Sequence, residues 1–148
     1  MRTLTATASA LFVAAAVLST SAQSSKSYKA RLAPVPIDLT MVATVAGNGL
    51  ATAQLTGTKL TITGAFEGLR SPATTAQLHK SPIAGVRGPV VADLTVSHDT
   101  NGTISGTIDL TEAQIADLDK RRLYVQLQSE KAPDGNLWGW LIAQETRR

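Results

Sequence analysis

Apolar residues alternate with polar ones along most of this 148-residue chain. In YKARL, Tyr28, Ala30 and Leu32 alternate with basic residues, and LTITGAF, residues 60–66, repeats the spacing. Successive side chains of a β-strand point to opposite faces of a sheet, so the spacing predicts strands with one packed and one wet face. About seven or eight short strands of this kind favour an all-β fold, an antiparallel β-sandwich.

Two local motifs interrupt the alternation. Asn101-Gly102 in DTNG predicts a hairpin with a type I′ turn, because both residues accept positive φ angles. Thr111 and Gln114 have the spacing of a capping box, and Ile115 with Leu118 supplies an apolar pair on one helix face. The sequence therefore predicts one short helix near residues 111–120.

The N-terminal segment has the features of a secretory signal peptide. Arg2 precedes an apolar run, Ala10–Leu18, that is too short to span a bilayer. Thr20-Ser21-Ala22 has the small residues of a cleavage site, so residues 1–22 are predicted to be removed; a buried N-terminal helix is the alternative. The mature protein is expected to be secreted or periplasmic, bacterial, and without a membrane span.

The rest of the chain divides simply. Residues 23–27 are predicted to be a flexible lead, residues 28–142 the sandwich domain, and residues 143–148 a frayed tail. APVPID should end the first strand, since prolines do not donate to a ladder. SPIAGVRGP, which carries Arg87, and EKAPDGN are predicted to be loops.

Composition excludes several functions. The absence of cysteine excludes disulfides, thiol catalysis and cysteine metal sites. A net charge of +3 and 4% aromatic residues provide no stacking platform for nucleic acid. No Gly-x-Ser-x-Gly motif or catalytic triad is apparent, so we predict that the protein is not an enzyme and has no cofactor.

Two carboxylate pairs are candidates for an acid–base site. Asp117 and Asp119 lie on the predicted helix and are expected to be solvated. Asp93 and Asp109 are expected either to face each other on neighbouring strands or to face water. Neither pair is a specific signal for catalysis.

Longer motifs resemble a known family. GLRSPATTAQLH, LTEAQIADL and RLYVQLQSEKAPDGNLWG resemble the CHRD domain, which is widespread in bacterial exported proteins, and the resemblance covers residues 28–141. It implies an immunoglobulin-like or jelly-roll-like sandwich and leaves the biochemical role open.

The resemblance also raises the question of a metal site. Family members commonly have histidines, in a layout similar to copper-zinc superoxide dismutase, where this chain has Gln77, His79, Gln128 and Ala132. Because copper and zinc sites need several histidine ligands, we predict that this chain has no metal site. If a site were present, its candidate ligands would be His79, Gln77 and Gln128. A Cu/Zn-associated protein, or a degenerate relative of one, centred on His79 is the alternative function.

Two tryptophans give the leading functional hypothesis. Trp138 and Trp140 replace the family's usual Arg and Gln and share one face of the strand LWGWLI, opposite Leu137 and Leu141. If the leucines enter the core, the indoles lie outward, and outward tryptophans often mark binding surfaces. Alternatively, the helix or the N-terminal segment covers them as a second small core.

The predicted function is a non-enzymatic binding or accessory module of the cell envelope, which contacts a protein partner through a sheet face. The predicted contact residues are Trp138, Trp140, Tyr124, Gln126 and Gln128. The charged residues of EKAPDGN would form a polar rim beside them.

Overall fold

The computed structural model describes residues 23–145, and within them nine β-strands and one α-helix are present. The elements are β1 (Ser25–Pro34), β2 (Asn48–Thr56), β3 (Lys59–Glu67), β4 (Ala73–Lys80), β5 (Val90–Val96), β6 (Gly102–Asp109), α1 (Glu112–Asp119), β7 (Leu123–Ser129), β8 (Ala132–Trp140) and β9 (Ile142–Ala143). The all-β class with one short helix is confirmed. The predicted signal peptide lies outside the described residues, and no helix among those residues has the length and hydropathy to cross a membrane.

The strands form a closed ring, in which every pairing is antiparallel. Their order is β1-β2-β3-β6-β5-β4-β7-β8, after which β8 pairs with β1 again, and β9 adds to β1. The arrangement is a closed eight-stranded antiparallel barrel, so the predicted sandwich is corrected. Closure depends on pairing between segments far apart in the chain, and local alternation carries no information about it.

Two joins of the ring are short. β1 meets β8 at Ala33 and Pro34, whereas its earlier residues pair with β9. β5 meets β6 at Thr95 and Val96 only. By contrast, β2 and β3 pair along their whole lengths.

The core fills the barrel with the residues that the alternation assigned inward. Tyr28, Ala30 and Leu32 are buried, as are the inward residues of the neighbouring strands. One strand departs from the simple pattern, because the register shifts between Leu78 and His79 where β4 pairs with β5. As a result Val91, rather than Val90, packs against the core.

The helix begins with the predicted capping box, and one of its carboxylates is buried contrary to prediction. The amide of Gln114 donates to Thr111 Oγ1 at 3.2 Å and the amide of Thr111 donates to Gln114 Oε1 at 2.9 Å, so the capping box is confirmed. The prediction that Asp117 is solvated is wrong. This carboxylate is buried, 2.8 Å from Lys80 Nζ and 3.7 Å from an Arg122 guanidinium nitrogen.

Arg121 ends the helix in an unusual conformation. Its φ of 59° lies in the left-handed region, where glycine is the usual residue. The Arg121 amide donates to Leu118 O at 3.0 Å and the Arg122 amide donates to Asp117 O at 2.9 Å, which together form a Schellman motif.

Two loop predictions change. The DTNG hairpin is present, but Asn101 does not have a positive φ, so the turn is not type I′. Asn101 Oδ1 instead accepts a hydrogen bond of 2.8 Å from the Gly68 amide, which ties the hairpin to the β3–β4 connection. EKAPDGN is not a loop throughout, because Ser129 pairs with Ala132 and β8 begins there.

The expected boundaries of the domain also shift. Ser25 and Lys26, expected in a flexible lead, pair with β2. At the other end Ala143 pairs with Tyr28, so the start of the expected tail belongs to the sheet. Both shifts come from long-range pairing with β1.

Candidate functional site

A row of stacked rings crosses the outer face of three strands. His79 of β4 pairs with Tyr124 of β7, which pairs with Trp140 of β8. The His79 and Tyr124 ring centroids are 5.0 Å apart at an interplanar angle of 19°, and those of Tyr124 and Trp140 are 4.8 Å apart at 28°. These separations match the spacing of neighbouring strands, so the backbone register itself stacks the rings.

A second row lies beside the first and is polar at one end. Gln77 Nε2 donates to Asp93 Oδ1 at 2.8 Å, and Gln77 Oε1 accepts from Gln128 Nε2 at 3.5 Å. At the other end, Trp138 packs against Trp140 in an edge-to-face arrangement, with centroids 4.7 Å apart at 70°. The face therefore grades from amides and a carboxylate to paired indoles.

The β4–β5 loop, residues 81–89, lies against the stacked rings. His79 Nδ1 donates to Gly88 O at 2.9 Å, and the Gly88 amide donates to the Tyr124 hydroxyl at 3.0 Å. A Cβ on Gly88 would lie 1.7 Å from Lys80 O, so only glycine fits there without movement of the backbone. Gly88 is thus the anchor of this loop on the face.

Arg87 extends the same loop across the tryptophans. Its guanidinium carbon lies 5.8 Å from the centroid of the Trp138 ring, within the range of a cation–π contact. A guanidinium nitrogen also donates to Asp134 O. Arg87 is therefore in contact with the face, although its side chain remains exposed to solvent.

The β1–β2 connection covers the face from the other side. Val35, Val45 and Ala132 form a small buried cluster, against which Met41 and Trp138 pack. The predicted alternative, a second small core over the tryptophans, is therefore present in part. The covering residues come from the β1–β2 connection rather than from the helix.

The model of the CHRD domain family matches residues 15–141. The chain belongs to the CHRD domain family. Searches of curated proteins and of solved structures give no match. Membership supports a non-enzymatic binding domain, and the CHRD resemblance that the sequence motifs indicated is confirmed.

The predicted contact residues of this CHRD domain differ in exposure. Leu137 and Leu141 enter the core as predicted, which places Trp138 and Trp140 on the outer face, where both are half-buried. Tyr124, which is 0% exposed, and the buried Gln126 are the cross-strand partners of the two indoles. The half-buried Gln128 lies at the polar end of the face, beside Gln77. Contact of this face with a partner stays a prediction.

The three candidate metal ligands of the CHRD domain do not converge on one point, because Gln77 contacts Gln128 whereas His79 lies apart from Gln128. His79 pairs with Tyr124, whereas Gln128 pairs with Thr75, four residues along β4 and therefore about 13 Å away. Ala132 lies in the small buried cluster. Among residues 23–145, no three His, Asp or Glu side chains lie close enough to hold a metal ion, so the alternative function has no support.

The carboxylate pairs are engaged in structural contacts. Asp109 pairs with Lys59 of β3, and Asp93 accepts from Gln77, so these two are not cross-strand partners. Asp119 accepts from the Tyr28 hydroxyl at 3.0 Å. Burial, the hydrogen bond to Asp119 and its negative charge raise the pKa of Tyr28 to about 12. Neither pair has the geometry of an acid–base site.

Sequence reasoning missed the apolar side chains of the two covering loops. Leu39 is 93% exposed, and Ile37 and Val42 beside it in the β1–β2 connection are also exposed. In the β4–β5 loop, Ile83 and Val86 are exposed. The available signal was the presence of large apolar residues within segments that prolines mark as loops.

Proposed function

We propose that this CHRD domain is an exported, non-enzymatic binding or accessory module of the cell envelope. Its partner is a protein, which it contacts through the face that carries Trp138 and Trp140. The observation that carries the proposal is the pair of half-buried indoles on the outside of the barrel, packed edge to face. Tryptophan is enriched at positions that dominate binding energy, because it offers a large apolar area with one hydrogen-bond donor.

The indoles are held in place before any partner arrives. Trp140 stacks on Tyr124, and Trp138 is fixed between Trp140, Arg87 and the cluster of Val35 and Val45. A contact group that is already ordered loses little conformational entropy on binding. The buried Tyr124 and Gln126 serve this interface as its support rather than as its contact atoms.

Exposed apolar side chains flank the indoles on both sides. Ile83 and Val86 lie in the loop that Gly88 anchors on Tyr124. Val42 and Leu39 lie in the connection whose Met41 packs beside Trp138. Together with the indole edges they form an apolar surface of the kind that marks protein interaction sites.

Site-specific photo-crosslinking tests the proposal. A photoreactive phenylalanine analogue is placed at Val42 or Ile83, and as a control at Thr61, which is exposed on the outer face of β3. In cells that make the protein, the first two positions should capture one common protein and Thr61 should not. Trp140→Ala should abolish the capture, whereas the matched exposed apolar change Leu50→Ala on β2 should not.

Two crosslinking outcomes would contradict the proposal. Equal capture from Thr61, or capture that survives both Trp138→Ala and Trp140→Ala in variants with wild-type thermal stability, would reject this face as the interface. Export is tested separately by mass spectrometry of the protein from the envelope fraction. Cleavage after Ala22 predicts an N-terminus at Gln23.

A further inference from the structure

The barrel opens between β5 and β6. The two strands pair at Thr95–Ser105 and Val96–Ile104 and then separate, β5 continuing beside β4 and β6 continuing beside β3. Leu94 still lies against Gly106, because a Cβ on that glycine would be 2.6 Å from Leu94 Cδ2. Beyond this contact, and within residues 23–145, the β6-facing edge of Val90–Asp93 and the β5-facing edge of Thr107–Asp109 have no strand partner. Each edge presents backbone donors and acceptors to whatever enters the opening.

Apolar side chains of the core reach this opening. Val91 of β5 and Ile108 of β6 pack against the core but are only half-buried. On the adjacent, fully paired strands, Leu60 and Leu78 are completely buried. The opening thus combines free strand edges with an apolar floor.

One exposed carboxylate stands on each edge of the opening, and the cross-strand neighbour of Asp109 is Lys59 of β3. Between Val90 and Asp119 the chain has carboxylates and no lysine or arginine. The carboxylates are those of Asp93, Asp99, Asp109, Glu112, Asp117 and Asp119. Lys80 and Lys26 pair with the last two. Asp93 and Asp109, both exposed, stand on the two open edges, and within residues 23–145 neither forms a salt bridge.

We propose that this opening is a second binding site, which takes an extended peptide strand in which apolar residues alternate with lysine or arginine. The strand adds to the free edge of β5 and forms backbone hydrogen bonds with it. Its apolar side chains face Val91 and Ile108, and its basic side chains lie beside Asp93 and Asp109. Opposite charges on neighbouring strands stabilise such pairing.

The same charges argue against a second copy of this chain. In a symmetric dimer that pairs β5 with β5, the acidic edge of one copy faces the same acidic edge of the other. Like charges on neighbouring strands destabilise pairing, so Asp93 disfavours that arrangement. The site is also independent of the tryptophan face, because it uses neither Trp138 nor Trp140.

A defined peptide tests the proposal on the mature protein. The probe is a blocked peptide of about nine residues in which valine alternates with lysine, long enough for one strand. Two control peptides replace every lysine with glutamate, or the central valine with proline, which cannot continue the ladder. Binding is followed by fluorescence anisotropy, and its place by amide hydrogen exchange.

The lysine peptide should bind and slow exchange of the β5 edge amides, and the two control peptides should not. Asp93→Lys with Asp109→Lys should weaken binding about tenfold, since the basic side chains of the peptide then lie beside like charges at both positions. Glu67→Lys with Glu130→Lys makes the same change in net charge elsewhere and should leave affinity within about twofold. Trp140→Ala should also leave it unchanged.

Several results would overturn the inference. One is equal binding of the glutamate peptide. Another is protection from hydrogen exchange at amides outside β5 and β6. The third is the absence of binding at a concentration of the lysine peptide of about 1 mM. Protection of the β5 edge that rises with protein concentration in the absence of peptide would identify a second copy as the occupant. That result would also reject the proposed partner.

Discussion

Tyr124→Phe tests how the β4–β5 loop is held on the aromatic face. The Tyr124 hydroxyl accepts a hydrogen bond of 3.0 Å from the Gly88 amide, while the ring stacks between His79 and Trp140. Phenylalanine keeps the stacked ring and removes only the hydroxyl. The Gly88 amide then loses its partner beside a side chain that is 0% exposed.

An unpaired buried donor costs about 1–3 kcal/mol. Because Gly88 is half-buried, water compensates part of this loss, and we expect a decrease of about 1–2 kcal/mol in the free energy of unfolding. For a domain of this size the melting temperature should fall by roughly 5 °C. The Gly88 amide should also exchange faster, which identifies the loop as the place of the loss.

Urea denaturation and amide hydrogen exchange measure the two effects. Tyr124→Leu, which removes the stacking as well, should cost more than Tyr124→Phe and serves as the upper reference. Our account of the loop is refuted if Tyr124→Phe unfolds with wild-type stability and the exchange rate of the Gly88 amide is unchanged.

Three further changes test other parts of the molecule. Gly88→Ala should displace the loop and lower the melting temperature, because its Cβ would overlap Lys80 O; a wild-type melting curve would contradict this. Arg121→Gly should stabilise the protein by about 0.5 kcal/mol in urea denaturation, since relief of the left-handed strain exceeds the entropy that glycine adds to the unfolded chain. Equal stability of Arg121→Gly and Arg121→Val would refute that reasoning. Because the folded pKa of Tyr28 is about 12 against 10 in the unfolded chain, stability should decline as pH rises from 10 to 12, and Tyr28→Phe, measured by urea denaturation at each pH, should decline less.

The sequence predicted those features that depend on neighbouring residues. Alternation assigned Leu137 and Leu141 to the core, and the spacing of Thr111 and Gln114 predicted the capping box, because both patterns act within one element. The burial of Asp117 could not be predicted in this way. It depends on Lys80, which reaches the helix from a strand far away in the chain.

The same distinction explains what was predictable of the candidate site. The alternation of side chains along a strand predicted that Trp138 and Trp140 share one outer face. It could not show that Tyr124 lies buried beneath a loop anchored by Gly88. Nor could it show that Arg87 lies over Trp138. These contacts join the β4–β5 loop to β7 and β8, and their residues share no local pattern.

The two proposed binding surfaces lie at the two short joins of the barrel. Trp138 itself pairs with Ala33 where β1 meets β8, and there the β1–β2 connection packs over the join with Val35 and Val45. At the join of β5 and β6 the core residue Ile108 remains half-buried. A closed antiparallel ring leaves few free edges and little exposed core, so the places where pairing is shortest are where apolar surface and free backbone groups become available. Closure of the barrel, which the sequence does not reveal, therefore determines where the two proposed surfaces lie.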